Sequence, residues 1–525
     1  MKLPRLLAPA LFILIGLLVL SPLTAMIAGS FAARSAAGDG STAHRGLDLD
    51  GRLFMPAQRS LAIASGTTVL SVLLGVPSAF FISRAHFSAR TRKLFSILSL
   101  LPALIPPYIH AIVWTHVNRM IKPLVGLDFH NIWGVMFILS MAYYPFVALT
   151  TRSGLDSVDK NLEEASLLCC RGWRTIKGIT LPLALPHLFA GAIFVFVFSL
   201  IEFAVPDIMR VHVYPVEIFI QYSAFYDERS AAVLSLPLVA VSFGLILVQK
   251  RIMKGRSFVQ PFAGLGGKTA AHRGRFLSIM AASFCFFLVL LSVLIPTGVL
   301  ICVAGPVSTY IQALKSSGEE IGYSLALACL GSLAALIPGF GAAYIRERSK
   351  SRGTALLFFI GLLPFAIPPV SMGIGLIGAW NHPFLDLVYG SSLVVVLGYA
   401  ARFLPFSLLM GSAGVKQLNP GIEEAALLVT GRWTHILAKI LLPLMRNSLA
   451  AAFFVVLILS FGELGSTLLV IPPGRETIPI KIYNLMHYGA DGTVAALCLL
   501  TSGIILSFFG LFLAMERKLG KGSVV

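Results

Sequence analysis

The chain has 525 residues, of which 57% are hydrophobic and 12% charged, and a formal net charge of +18 at pH 7. Soluble domains carry about 25% charged residues, so these proportions exclude a soluble globular protein. The apolar residues come in runs of roughly 20, long enough to cross a bilayer as helices, and the alternating ten-residue pattern of a membrane β-barrel is absent. The basic residues sit in short loops between these runs, not on one soluble face. That placement argues against nucleic acid and for membrane orientation.

In chain order, the first apolar run lies near 6–29. Its basic start resembles a signal peptide, but the run is long, many more follow, and a similar run opens the second half; it is read as an uncleaved span. Further runs fall near 60–83, 94–117, 131–151, 186–206 and 231–249. After a basic, glycine-containing stretch, a second set falls near 277–304, 322–345, 354–380, 389–413, 447–471 and 493–515. The sequence therefore predicts an all-α polytopic membrane protein with about twelve transmembrane helices.

The two sets match in order. "SLAIASGTTVLSVLLGVPSAFFISR" from Ser60 answers "SLALACLGSLAALIPGFGAAYIRER" from Ser324, "LLPALIPP" from Leu100 answers "LLPFAIPP" from Leu362, and "SLIEF" at 199–203 answers "SFGEL" at 460–464. One six-span unit is duplicated, with residues 1–250 as the first repeat, 251–276 as a linker and 277–525 as the second repeat. Six spans return the chain to its starting side, so the repeats are parallel. Most of the 41 basic residues share the side of the N-terminus, which predicts cytoplasmic N- and C-termini.

Two charged segments interrupt the pattern at equivalent places, "LEEASLLCCRGWRTIKGITLPL" from Leu162 and "IEEAALLVTGRWTHILAKILLPL" from Ile422. Each falls between the fourth and fifth spans of its repeat, on the cytoplasmic side. Glu163 and Glu164 suit a first helical turn, where negative charge favours the helix dipole. Ala165 and Ser166, or Ala425 and Ala426, permit close backbone approach, and Leu167, Leu168, Leu427 and Leu428 offer an apolar knob. Gly172 and Gly431 permit a sharp turn, and Pro182 and Pro443 can open the following span. The pattern describes a short helix, a turn and a helix entering the membrane, presenting a docking surface to a cytoplasmic partner. For a single copy, an ordinary interfacial loop is an equal alternative; two equivalent copies favour docking.

These segments resemble the EAA loops of permease subunits of binding-protein-dependent ABC importers, whose pattern is Glu-Ala-Ala, a glycine after three more residues, then Ile-x-Leu-Pro. The resemblance covers essentially the whole chain. It implies the type I ABC importer permease fold, with a coupling helix in each repeat seated in an ATPase groove. Glu163, Glu164, Ala165, Gly172, Glu423, Glu424, Ala425 and Gly431 then form the ATPase-coupling set, and Glu164 and Glu424 match the family's glutamate. The glycine comes late in both copies: Cys170 and Thr430 stand where it belongs.

The resemblance further implies two ATPase subunits, an extracytoplasmic binding protein and a bacterial inner-membrane location. The fused arrangement and the Glu202–Asp227 stretch are similar to those of ferric-iron importers, which makes iron the expected cargo. Thiamine or another small solute, and an ATP-independent carrier, are the alternatives. The "GLGGKT" at Gly264–Thr269 lacks the first glycine and the preceding strand of a phosphate loop, so ATP is expected on partner subunits and no cofactor on this chain. No catalytic constellation and no metal-ligand spacing appears, and the six cysteines form no CxxC pair.

Within the spans, Glu202 and Glu463 occupy equivalent positions and Arg402 falls in the tenth. Intramembrane charges face the bundle interior, so the two glutamates either line the pathway or one of them pairs with Arg402. Pro106, Pro107, Pro368 and Pro369 break backbone bonds in the third span of each repeat, as a gate or as packing kinks. The outer loops near 30–58, 118–130, 207–229 and 472–490 are expected to receive the binding protein, with Asp207, Glu217, Asp227 and Glu228 as candidate contacts.

Overall fold

The computed structural model describes residues 7–36, 53–170, 172–252, 275–349 and 351–521. The Gly264–Thr269 segment, nearly all of the linker and much of the first outer loop lie outside the described residues. Among the described residues every regular element is a helix.

The first repeat runs α1 (Ala8–Ser30), α2 (Phe54–Arg84), the bent pair α3 (Ala89–Leu104) and α4 (Pro107–Val125), and α5 (Ile132–Asp156). It continues with the short α6 (Lys160–Cys169), α7 (Ile176–Leu200), the short α8 (Tyr214–Ser223) and α9 (Glu228–Gln249). The second repeat has the same series. Its members are α10 (Leu277–Ala304), α11 (Val307–Arg348), the bent pair α12 (Arg352–Ala366) and α13 (Pro369–Trp380), α14 (Leu393–Gln417), α15 (Pro420–Thr430), α16 (Trp433–Phe461), α17 (Ile478–His487) and α18 (Asp491–Lys518). Ten of these helices are long and apolar enough to cross a membrane, or up to twelve if each bent pair is one span.

The chain packs as two compact units, divided differently from the sequence repeats. One comprises Met1–Asp48, Ile218–Ala240 and Pro306–Val525; the other comprises Leu49–Glu217 and Val241–Gly305. Hence α1 packs among second-repeat helices, where Leu11, Ile15 and Val19 share an apolar core with Leu327, Leu376 and Leu404. In the other unit α10 packs on first-repeat helices, and the Phe284 ring meets Phe81 edge-on at 5.5 Å.

Within each unit the second and fourth spans of a repeat approach at an equivalent glycine. A Cβ added at Gly75 would lie 2.8 Å from the Tyr144 carbonyl oxygen, and one at Gly339 would lie 2.6 Å from the Ser407 Cβ. Small residues at such crossings let membrane helices make dense van der Waals contact.

Proline shapes the spans in two ways. At the double prolines the chain leaves the helix altogether. A residue before proline is driven from the α region: Ile105 and Pro106 have ψ of 125° and 137°, and Ile367 and Pro368 have 120° and 147°. The result is a bend of 89° between α3 and α4 and of 117° between α12 and α13, sharper than the kinks expected from sequence. His110 Nε2 lies 3.2 Å from the Pro102 carbonyl, satisfying a backbone group near the break. At Pro182 and Pro443 the helix continues through a π turn instead. Pro182 and Pro443 therefore lie inside a continuing helix and do not open the span. The fifth spans begin at Ile176 and Trp433, earlier than the apolar runs suggest.

Candidate functional site

The two charged segments form α6 and α15, each capped locally. The Asp159 side chain accepts from the Asn161 N–H at 2.9 Å, and the Asn419 side chain accepts from the Gly421 N–H at 2.9 Å. These bonds satisfy first-turn donors that have no partner within the helix. The far ends differ. In the second copy Gly431 adopts φ of +61° and its N–H closes on the Leu427 carbonyl, the left-handed cap that favours glycine. In the first copy α6 ends at Cys170 in extended backbone, which any residue adopts, and Gly172 starts the next helical turn. The turn expected at Gly172 is thus made two residues earlier, without a glycine.

Consecutive residues on a helix point about 100° apart, so the two glutamates of each pair part company. Glu163 and Glu423 turn inward and are buried, whereas Glu164, Glu424, Ala165 and Ala425 are exposed. Arg84, the last residue of α2, places Nη2 2.7 Å from Glu163 Oε1 and also donates to the Leu155 carbonyl at 3.1 Å. The Thr180 hydroxyl donates to the same carboxylate oxygen at 2.8 Å. In the second copy Arg348, the last residue of α11, places Nη2 2.6 Å from Glu423 Oε1 and donates to the Leu418 carbonyl at 3.2 Å. There the hydroxyl comes from Tyr344, 2.6 Å from Oε2. Glu163 and Glu423, placed in the docking set by sequence, therefore bind their own chain.

Beside the exposed carboxylates, leucine side chains also face outward. Leu168 is 89% exposed and Leu428 90%, each at the far end of its helix, with Val429 beside Leu428. Leu427 does not join them; it packs against the core formed by Tyr344, Ile436, Leu441 and Met445. Each short helix is thus pinned by charge on one side and presents a leucine and a carboxylate on the other.

The structure moves Glu202 and Glu463 out of the fifth span. Both lie in the break after it and cap the following short helix. Glu202 Oε1 accepts from the Ala204 N–H at 3.1 Å, and Glu463 Oε1 accepts from the Ser466 N–H at 3.1 Å. Their partners differ: Tyr143 donates to Glu202 at 2.9 Å, while Arg402 Nε lies 3.4 Å from Glu463 Oε1. Of the two sequence-based alternatives for Arg402, the distance sets it against Glu463. Pro106, Pro107, Pro368 and Pro369 sit at the two sharp bends.

Among the outer candidates, Glu217 is buried 2.7 Å from His212 and Asp227 caps α9 through Ser230, so both are engaged within the chain. Among the described residues no group of three or more His, Cys, Asp or Glu is placed to hold a metal ion. Sequence reasoning overlooked Arg84, Arg348, Tyr344 and Thr180. The available signal was the arginine that closes both aligned second spans, "FISR" and "YIRER".

A family model described as "Binding-protein-dependent transport system inner membrane component" matches residues 71–257 and again 328–521. Each match takes in one bent pair, one short charged helix and the spans around them. Among similar proteins is the Fe(3+)-transport system permease protein FbpB 2 of Haemophilus influenzae, 24% identical over 83% of this chain and 86% of that protein. The ferric transport system permease protein FbpB of Actinobacillus pleuropneumoniae is 24% identical over 86% of this chain and 70% of its own length. A putative 2-aminoethylphosphonate transport system permease protein, PhnV of Salmonella typhimurium, is 28% identical over 40% of this chain and 80% of its own. With two family segments, parallel six-span repeats and a charged helix in each, the chain belongs to the binding-protein-dependent transport system inner membrane components and is the permease of an ABC importer.

Proposed function

We propose that this permease carries ferric iron, received from an extracytoplasmic binding protein and driven by two ATPase subunits. One ATPase seats on α6 and the other on α15. The observation that carries the proposal is the pair of equivalent short helices, each presenting Leu168 or Leu428 and Glu164 or Glu424 outward. Two docking helices call for two ATPase copies, and both then face the cytoplasm with the termini. The iron assignment is supported by the names of the relatives that match most of the chain. The half-length relative named for 2-aminoethylphosphonate supplies the rival cargo class.

In this scheme the chain performs no bond chemistry and holds no cofactor; ATP is bound and hydrolysed on the partners. ATP draws the two ATPase subunits together, each carries its docking helix with it, and the spans change the side to which the pathway opens. The bends at Pro106–Pro107 and Pro368–Pro369 are the gate candidates, because backbone that leaves the helix at membrane depth is tolerated only against protein or a water-filled cavity. The sequence repeats at 1–250 and 277–525 act as the two halves of one transport unit.

The test is uptake into proteoliposomes containing the chain, its ATPase and its binding protein, with radiolabelled ferric iron, thiamine and 2-aminoethylphosphonate compared. Iron accumulation that requires ATP and falls in the Glu164→Ala/Glu424→Ala variant is the expected result. Uptake of another solute alone overturns the cargo, and uptake indifferent to ATP overturns the coupled mechanism.

A further inference from the structure

The second span of each repeat is tied at two points, in the same way in both units. At one end stand the buried Arg84–Glu163 and Arg348–Glu423 pairs, with side chains 3%, 8%, 8% and 1% exposed. Earlier in each helix the buried Ser60 Oγ accepts from the Tyr214 N–H that starts α8, at 2.9 Å, and the buried Ser324 Oγ accepts from the Ile478 N–H that starts α17, also at 2.9 Å. So α2 connects α6 to α8, and α11 connects α15 to α17. The hydroxyl that completes each carboxylate cluster comes from different elements. Thr180 supplies it from α7 in the first unit, and Tyr344 supplies it from α11 in the second. Phe80 stands where Tyr344 would be, and Leu441 where Thr180 would be. The duplicated halves have changed the accessory donor and kept the arginine and the carboxylate.

A buried ion pair is a poor way to gain stability, because desolvation offsets the attraction and a well-packed apolar pair does as well. What it supplies is direction: a planar guanidinium held by a carboxylate and a backbone carbonyl fixes one orientation of the two helices. Taking α6 and α15 as the ATPase-docking helices, we infer that Arg84 and Arg348 are positioning residues for energy coupling. Each locks its docking helix to the second span, so that movement imposed by an ATPase passes into the span and on to the short helix bonded further along it. Without the lock the docking helix moves alone, and ATP is hydrolysed without transport.

The test measures three quantities on the full complex in proteoliposomes: ATPase binding, ATP hydrolysis and uptake per ATP. In Arg84→Gln/Arg348→Gln, binding and hydrolysis are retained and uptake per ATP falls about tenfold, within the usual range of coupling energies. The exchanged pairs, Arg84→Glu with Glu163→Arg and Arg348→Glu with Glu423→Arg, recover uptake per ATP. An unchanged ratio in the glutamine variant overturns the inference. If that variant fails to assemble, the exchanged pairs decide: assembly with coupled uptake supports the lock, while failure to assemble, or assembly with uncoupled uptake, overturns it. Leu168→Asp/Leu428→Asp separates this from the docking proposal. ATPase binding that survives those charges defeats docking itself, whereas lost binding there with a normal ratio in the glutamine variant defeats only the lock.

Discussion

Leu168 and Leu428 give the sharpest test of docking, because the structure separates their effect on binding from any effect on folding. Each is about nine-tenths exposed, so truncation to alanine removes almost no contact within the chain. A surface substitution of that kind stays within about 0.5 kcal/mol of the parent stability. Seated in a partner groove, the same side chain contributes roughly 1.5–3 kcal/mol through burial, so its loss weakens ATPase binding by about 10- to 100-fold. Leu427→Ala is the internal control. That side chain lies half-buried against Tyr344, Ile436 and Leu441, and removing it lowers folding stability by about 1–2 kcal/mol. The assay is a titration of purified ATPase onto the detergent-solubilised chain, alongside thermal unfolding of each variant. Unchanged affinity in Leu168→Ala/Leu428→Ala, with unfolding also unchanged, would refute the assignment of these leucines to the docking surface.

The other expectations concern the scaffold. Gly75→Ala and Gly339→Ala each place a Cβ inside contact distance of the neighbouring span; each lowers stability by about 1–3 kcal/mol, read as an earlier thermal transition in detergent. Arg402→Gln leaves Glu463 with only its backbone and Thr467 donors, and the loss of the paired cation shows as reduced thermal stability and reduced recovery of monodisperse protein. Intact stability with altered transport would instead place Arg402 in the pathway. In the 126–131 loop, the Lys122 ammonium 2.7 Å from Asp128 holds that carboxyl well below the usual carboxylate range, with help from the His130 N–H. A depressed carboxyl contributes at neutral pH, and the contribution fades as pH falls from the ordinary carboxylate value toward the lowered one. Asp128→Asn removes the charged acceptor of the Lys122 ammonium and of the His130 N–H, and therefore quickens amide exchange in this loop at neutral pH.

Much of this architecture is written in the sequence because hydrophobic length and charge interruption are strong signals. The two apolar sets place the spans, and the charges of α6 and α15 place two helices that cannot cross the membrane. Packing partners are another matter. Nothing in the apolar run near 6–29 says that α1 will lie with Leu327 and Leu404 of the second repeat, since periodicity reports that a segment is buried and not by what. The inward turn of Glu163 and Glu423 was half legible. Helix geometry requires one glutamate of an adjacent pair to face away from the other, but choosing which needs the arginine at the end of a span some eighty positions earlier.

The prolines show how one residue type gives different outcomes, since Pro77, Pro145, Pro338 and Pro405 lie in uninterrupted α-helix. Among the described residues π turns occur in two equivalent pairs: Gly16–Leu20 with Leu290–Leu294, and Ile176–Thr180 with Leu437–Leu441. Each is followed by one residue and then a proline: Pro22, Pro182, Pro296 and Pro443. Proline lacks an N–H and its ring collides with the carbonyl four residues back; widening the preceding turn by one residue relieves the collision while the helix goes on. At Pro106–Pro107 and Pro368–Pro369 the first proline forces extended backbone on the residue before it and the second does the same to the first, so no widened turn suffices and the helix breaks. The consequence bears on transport. The segments leading from α6 and α15 enter α7 and α16 through an unbroken, widened helix, whereas the third spans are interrupted. If α6 and α15 are the docking helices, force applied there meets continuous helix on one side and the Arg84–Glu163 or Arg348–Glu423 pair on the other.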